Sequence, residues 1–144
     1  MLFWTRYQAA NDHNPAAVVA HPNYPRLVEV FDEMKRVAVA QGFTVAVVLI
    51  PPKEEVYAWL LDSSPPKTSG FSVVIRDLCA TKGYPFLDLA PFFSAAGREW
   101  YEGSGDLLFW PDDTHWNERG QELAAALVYE RLLRPIREGR ALPE

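Results

Sequence analysis

The chain has 144 residues, of which 49% are hydrophobic and 23% charged, and its formal net charge is −5 at pH 7. This length and balance are typical of one soluble globular domain with its own core. The acidic balance argues against nucleic acid or an anionic membrane surface as a partner, because no basic face can neutralise phosphates. No apolar run is long enough to span a membrane, and the first residues lack the apolar segment of a signal peptide. The sequence therefore leaves the compartment open.

A helix and a buried strand are predicted in the first half of the chain. Helical spacing begins at Pro25, and Gly42 is a plausible C-terminal cap. Residues 44–50 form an apolar run without alternation, which is typical of an interior strand of a parallel sheet. Pro51 and Pro52 end this strand. The residues that define the helical face are Leu27, Val30, Phe31, Met34, Val37 and Ala38.

The second half continues the alternation of helices and strands. Residues 53–61 have helical spacing, residues 62–70 form a Ser/Pro/Gly loop, and a further amphipathic helix ends at Gly83. Residues 86–89 form a short strand, and residues 91–105 are predicted to be irregular with one helical turn. The last helix shows its apolar face at Leu123, Ala124, Leu127, Val128 and Leu132. This order predicts a layered α/β fold with right-handed crossovers.

One segment combines side chains that do chemistry, Asp113-Thr114-His115-Trp116-Asn117. An Asp two residues before a His, in a loop ahead of a helix, can turn its carboxylate towards the imidazole. A carboxylate on Nδ1 fixes the tautomer and stabilises the imidazolium, which leaves Nε2 to take a proton from a nucleophile. Asn117 is a good N-cap for the following helix. The alternative is that Asp112 and Asp113 cap the loop and that His115 is a polar surface residue.

Residues 109–120, Phe-Trp-Pro-Asp-Asp-Thr-His-Trp-Asn-Glu-Arg-Gly, lead into an Ala/Leu-rich helix. This segment resembles the last conserved block of the SGNH/GDSL hydrolases. The Asp-Thr-His-Trp form is most similar to the branch that includes the alginate O-acetylation proteins. Residues 47–57 resemble the strand and turn that precede this block in that branch, and residues 86–89 fit as a further strand. The resemblance extends from Leu27 to Leu133 in the right order.

The resemblance implies a three-layer, flavodoxin-like α/β fold, with a parallel sheet between flanking helices. It implies a Ser nucleophile, an oxyanion hole made by a Gly and an Asn, His115 as the general base and Asp113 as its orienting acid. Older family members place the acid three residues before the His, which would be Asp112. The implied activity is that of an acyl-ester hydrolase or O-acyltransferase on a carbohydrate or small acyl ester, with no metal or organic cofactor.

The sequence departs from the family in lacking a nucleophile. It contains no Gly-Asp-Ser turn, and no serine follows His115. We therefore expect residues 1–144 to be the C-terminal portion of a single SGNH-like domain, incomplete on its N-terminal side. The serine would then lie outside this sequence, and the isolated chain would be inactive. The alternative is a non-catalytic SGNH-like binding module.

Other candidate nucleophiles and ligands have weaker support. Ser104 lies between Gly103 and Gly105 but lacks the full Gly-x-Ser-x-Gly pattern of a nucleophile elbow. Ser63, Ser64 and Ser69 lie in the predicted 62–70 loop. Cys79, the single cysteine, falls on a buried helix face and is expected to be a core residue. The Asp12-His13 pair has no supporting context, and His13, His21 and His115 do not have zinc-ligand spacing.

The aromatic residues Trp110 and Trp116 flank the Asp-x-His motif. Sugar-binding sites use aromatic faces, but aromatic side chains also build cores, so both roles stay open. Lys53 can approach the site, although a lysine that starts a helix is usually solvated. We also expect residues 45–50 of the apolar strand to have an unpaired or irregularly covered edge, through which the chain would associate with other chains.

Overall fold

The computed structural model describes residues 14–60 and 68–140. Its elements in chain order are α1 (Pro15–Val19), α2 (Tyr24–Gln41), β1 (Val47–Leu49), α3 (Lys53–Val56), α4 (Gly70–Lys82), β2 (Phe86–Asp88), α5 (Ala90–Ser104), α6 (Glu118–Val128) and α7 (Arg134–Arg137). A 3₁₀ turn (Ala58–Leu60) follows α3, and a π-helical turn (Tyr129–Leu133) joins α6 to α7. This mixed composition confirms the α/β class. The Asp12-His13 pair, Ser63 and Ser64 lie outside the described residues.

The two strands pair with each other in a parallel sheet. The N–H of Val47 donates to the carbonyl of Pro85 (2.8 Å), and the N–H of Leu89 donates to the carbonyl of Leu49 (3.1 Å). Strand β1 is shorter than the predicted residues 44–50, and Ile50 is 60% exposed. In residues 14–60 and 68–140 neither strand has a further partner. Association with other chains through the free edge stays a prediction.

The chain divides into two compact units. The first unit comprises Met1–Val47 and Lys67–Phe86. Its long helices were both predicted, and Gly42 and Gly83 end them with φ values of 71° and 70°, a left-handed conformation that glycine adopts without steric cost. The core of this unit consists of Phe31, Ile75, Leu78, Cys79 and Tyr84. Burial raises the pKa of the Cys79 thiol to about 11, as suits a core residue.

The second unit comprises Val48–Pro66 and Leu87–Glu144. Its core consists of Val56, Tyr57, Leu87, Leu89, Phe93, Leu108, Phe109, Ala124 and Leu132. The helix predicted for residues 53–61 is broken, because Tyr57 leaves the helical conformation with φ −108° and ψ 17°. The hydroxyl of Tyr57 accepts a hydrogen bond from the N–H of Leu108 (2.8 Å). A tertiary contact thus accompanies the break in a locally favourable helix.

The prediction that residues 91–105 are irregular was wrong, because α5 is a helix of 15 residues. Phe93 and Gly97 are its buried residues, and their four-residue spacing carries the helical period. Pro91 lies in the first turn, where a missing N–H costs no helical hydrogen bond. Asp88 accepts a hydrogen bond from the N–H of Ala90 (2.9 Å) at the start of the helix. The proline and glycines of this segment begin, end and pack the helix rather than disrupt it.

The predicted last helix forms, with an irregularity near its end. The π-helical turn lies directly before α7, which has Pro135 in its first turn. Proline cannot donate to the carbonyl four residues earlier, and such positions commonly distort helices. Among the described helices, none is both long enough and apolar enough to cross a membrane.

Candidate active site

Residues 110–115 form an exposed loop, which we call the acid–base loop. An antiparallel bridge between Phe109 and Trp116 closes its base. Inside it, the N–H of Trp110 donates to the carbonyl of His115 (3.1 Å), and the N–H of Asp113 donates to the carbonyl of Trp110 (3.3 Å). Phe109 is 1% exposed, whereas all six loop residues are exposed. The fold thus presents the loop to solvent from a base that is anchored in the core.

The acid–base loop brings Asp113 and His115 together. Oδ1 of Asp113 lies 2.7 Å from Nδ1 of His115, and the same oxygen accepts from the N–H groups of Thr114 (2.5 Å) and His115 (3.2 Å). The hydrogen bond from His115 lowers the pKa of the Asp113 carboxyl below its usual 3.8, against a smaller opposing effect of desolvation. The His115 side chain is 81% exposed, and no described residue hydrogen-bonds to Nε2. The pair therefore has the geometry of a carboxylate-oriented imidazole with a free second nitrogen.

The remaining predicted site residues occupy different environments. Asp112 is exposed, and within the described part of the chain its carboxylate forms no hydrogen bond with His115. Trp110 is 44% exposed. Trp116 is half-buried and stacks on Phe93, with ring centroids 5.0 Å apart at 31°. Trp110 is thus open to a ligand, while Trp116 supports the loop from the core; a role in substrate binding stays a prediction for both.

Asn117 joins the loop base to α6. Its Oδ1 accepts from the N–H of Gly120 (3.1 Å), which confirms the predicted N-cap. Its Nδ2 also donates to the carbonyl of Leu107 (2.6 Å), a contact that the sequence did not indicate. Because one side chain bonds the helix start and the segment before the loop, it fixes the separation of the two loop ends.

Sequence reasoning left the role of Lys53 open, and the structure places its ammonium group against the acid–base loop. Nζ donates to the carbonyl oxygens of Trp110 (2.6 Å), Pro111 (2.9 Å) and Asp113 (3.1 Å). The sequence signal for this role was the position of Lys53 directly after the Pro51-Pro52 turn, at the carboxyl end of β1. Ligands bind at that end of the strands in open α/β folds.

The other serine candidates do not form a pair with His115. The hydroxyl of Ser104 bonds to the carbonyl of Trp100 (3.0 Å) and the carboxylate of Asp106 (2.7 Å). Ser69 is buried and caps α4 through the N–H of Ser72 (3.0 Å). No serine in residues 14–60 or 68–140 hydrogen-bonds to His115, and no three His, Cys, Asp or Glu side chains there are grouped as metal ligands.

Comparison with protein-family models identifies a family for this chain. Residues 6–144 match the model of the SGNH hydrolase-like domain of the acetyltransferase AlgX. This match spans nearly the whole chain and confirms the resemblance to the alginate O-acetylation branch of the SGNH proteins. Neither the search of curated proteins nor the search of solved structures found a match.

Proposed function

We propose that this chain, which belongs to the family of SGNH hydrolase-like domains described for the acetyltransferase AlgX, supplies the base and the acid of an acyl-transfer site. His115 is the general base, and Asp113 orients it. The observation that carries this proposal is the 2.7 Å contact from Asp113 to Nδ1 of His115, whose Nε2 has no hydrogen-bond partner in residues 14–60 and 68–140. A neutral imidazole held in this way has its basic nitrogen directed away from its carboxylate partner.

The proposed reaction is acyl transfer through a serine ester. Nε2 of His115 takes the proton of the serine hydroxyl while the serine oxygen attacks the ester carbonyl, and Asp113 stabilises the resulting imidazolium. The tetrahedral intermediate collapses when the imidazolium returns this proton to the departing alkoxide. Water or a sugar hydroxyl then attacks the acyl-serine with the same base, and the serine is released. The substrate class that we propose is an acyl ester, either carbohydrate-borne or small.

The nucleophile is the part of this site that the chain does not provide. We propose that residues 1–144 are the C-terminal portion of one SGNH-type domain whose serine lies outside this sequence. At 81% exposure, the His115 side chain is not shielded from water by the residues that the structure describes. Electrostatic stabilisation of an oxyanion is weak in water and strong only in a preorganised, water-excluded site. The isolated chain should therefore lack efficient His115-dependent turnover.

Hydrolysis of para-nitrophenyl acetate by the purified chain tests this part of the proposal. A free imidazole attacks such activated esters slowly, so the matched control is the exposed His21 of the first unit. We expect His115→Ala and His21→Ala to show the same small rate as the wild type. Turnover that only His115→Ala abolishes would mean that the chain already contains its nucleophile, and Ser104 would be the first residue to replace.

The gene around the coding region for these residues provides the second test. A longer reading frame with an in-frame Gly-Asp-Ser supports the enzyme, and the longer protein should hydrolyse or transfer acetyl groups. There, His115→Ala and Asp113→Asn should each lower kcat by about a thousandfold or more. A longer protein whose activity survives both substitutions would overturn the proposed roles.

The alternative function is a non-catalytic binding module. The exposed indole of Trp110 beside the acid–base loop favours it, because aromatic faces stack on sugar rings. A module would bind an acetylated oligosaccharide in the same way before and after His115→Ala, and no longer reading frame would encode a serine motif. NMR titration of the chain with acetylated and deacetylated oligosaccharides measures this binding through the Trp110 indole signal.

A further inference from the structure

We infer that Lys53 is a positioning residue for the acid–base pair: its ammonium group holds the acid–base loop in the conformation that brings Asp113 to His115. This inference deepens the proposed function and rests on it for its catalytic consequence. The structural effect is separable, since it concerns the conformation of the loop and not the reaction.

The ammonium group of Lys53 is saturated by the loop. A lysine has three N–H donors, and all three find backbone carbonyl oxygens, those of Trp110, Pro111 and Asp113, at 2.6–3.1 Å. These carbonyls lie 57–60 residues further along the chain. Because no donor remains for a ligand, Lys53 is a brace of the loop and not an anion-binding side chain.

The backbone of Lys53 is held in place by the residues on either side of it. It follows Pro52, which is extended at φ −73° and ψ 153°, and it is the first residue of α3. The same short helix is anchored in the core by Val56, which is fully buried. The next residue, Tyr57, accepts the hydrogen bond from Leu108 just before the loop. The segment 53–57 thus holds the loop at its base through Tyr57 and at its tip through Lys53.

The loop has few other constraints at its tip. Its internal backbone bonds are the two that join Trp110 to His115 and to Asp113. Lys53 binds the carbonyl of Asp113, while the carboxylate of the same residue binds His115. One residue is therefore fixed at its backbone by the lysine and at its side chain by the imidazole. Without the ammonium group the three carbonyls would turn to solvent, and only the local hydrogen bonds from the N–H groups of Thr114 and His115 would direct the Asp113 carboxylate towards Nδ1.

The ammonium shape suits this role better than a guanidinium group. A lysine presents a compact charge with donors that diverge from one nitrogen, whereas arginine presents a planar fork. Three carbonyl oxygens from one tight loop converge on a single point, and this arrangement matches the ammonium group of a lysine. Removing the donors with Lys53→Met keeps the length and apolar stem of the side chain, so it isolates the hydrogen bonds.

The experiment records the tautomer of His115 in the ¹⁵N-labelled chain by long-range ¹H–¹⁵N NMR. In the wild type, we expect the neutral ring to carry its proton on Nδ1, because Asp113 accepts there. Asp113→Ala, which removes the acceptor oxygen, gives the reference for a broken pair. We expect Lys53→Met to move the chemical shifts of the His115 ring nitrogens at least halfway from the wild-type values to those of Asp113→Ala. Lys82→Met, which removes an ammonium group paired with Asp32 in the first unit, should leave them unchanged.

A Lys53→Met spectrum with wild-type ring nitrogens would overturn the inference. If Lys53→Met does not fold, the Nζ protons of the wild-type chain decide instead: slow exchange of the Lys53 ammonium protons supports the brace, and exchange as fast as in a free lysine refutes it. Failure of the proposed function would look different, because Asp113→Ala would then leave the His115 tautomer of the wild type unaltered.

Discussion

Replacing Gly120 with alanine should destabilise the second unit, although a glycine is removed from a helix. In an open helix interior this change stabilises a protein by about 0.5–1 kcal/mol. Here a Cβ would overlap the carbonyl oxygen of Leu108 and approach Cβ of Trp116 to 3.0 Å. The Leu108 oxygen cannot simply retreat, since it accepts from the N–H of Asn117 (3.0 Å). Forced overpacking of this kind costs about 1–3 kcal/mol, so the sign of the substitution reverses.

The matched control is Gly103→Ala in α5. An added Cβ at that position meets no atom within 4 Å. The free energy of unfolding of this variant should therefore equal that of the wild type or exceed it by up to about 1 kcal/mol, because alanine lowers the conformational entropy of the unfolded chain. The free energies of unfolding of the two alanine variants should therefore differ by about 1–4 kcal/mol. Urea unfolding followed by tryptophan fluorescence measures this, because Trp59, Trp100, Trp110 and Trp116 all lie in the second unit. A Gly120→Ala midpoint at or above that of the wild type would refute the close approach of α6 to Leu108.

Three further predictions concern single groups. Tyr57→Phe removes the acceptor of the buried Leu108 N–H and should cost about 1–3 kcal/mol in urea unfolding; an unchanged midpoint would mean that water replaces the hydroxyl. Since His115 lowers the pKa of Asp113, stabilisation by this pair is complete above 3.8 and is lost as the pH falls through the lower folded value. The Asp113 carboxyl ¹³C signal should thus titrate with a midpoint below 3.8, and a midpoint above it would contradict the pairing. The Cys79 thiol, with its pKa raised to about 11 and its side chain fully buried, should react with a thiol reagent at neutral pH only after unfolding.

The contact between Asp113 and His115 was predictable because it is local. Asp113 and His115 are two residues apart, so a single turn of the loop brings the carboxylate to the ring. The N-cap at Asn117 was predictable for the same reason, since the side chain bonds an N–H three residues later. Contacts between residues that are close in the sequence are specified by the order of those residues and do not depend on how distant segments pack.

Helix α5 shows where local signals mislead. The segment contains Pro91 and several glycines, which in most contexts indicate irregular structure. In the structure, these residues occupy positions where a helix tolerates proline or glycine. Pro91 lies in the first turn, and Gly97 lets the helix pack closely on α3, since a Cβ added there would lie only 3.1 Å from Cγ1 of Val56. The burial of Phe93 in the core then favours the helix more than these residues oppose it.

The sequence by itself determined the α/β class, the ends of the long helices of the first unit, and the family to which the Asp-Thr-His-Trp segment belongs. These depend on periodicity, caps and short spacings, which the chain expresses within a few residues. Only the tertiary structure decided that the Lys53 ammonium group bonds to the loop carbonyls and that Trp116 stacks on Phe93. Those contacts join residues that are far apart along the chain, and nothing in the local pattern indicates where a distant segment will lie once both are packed on the same core.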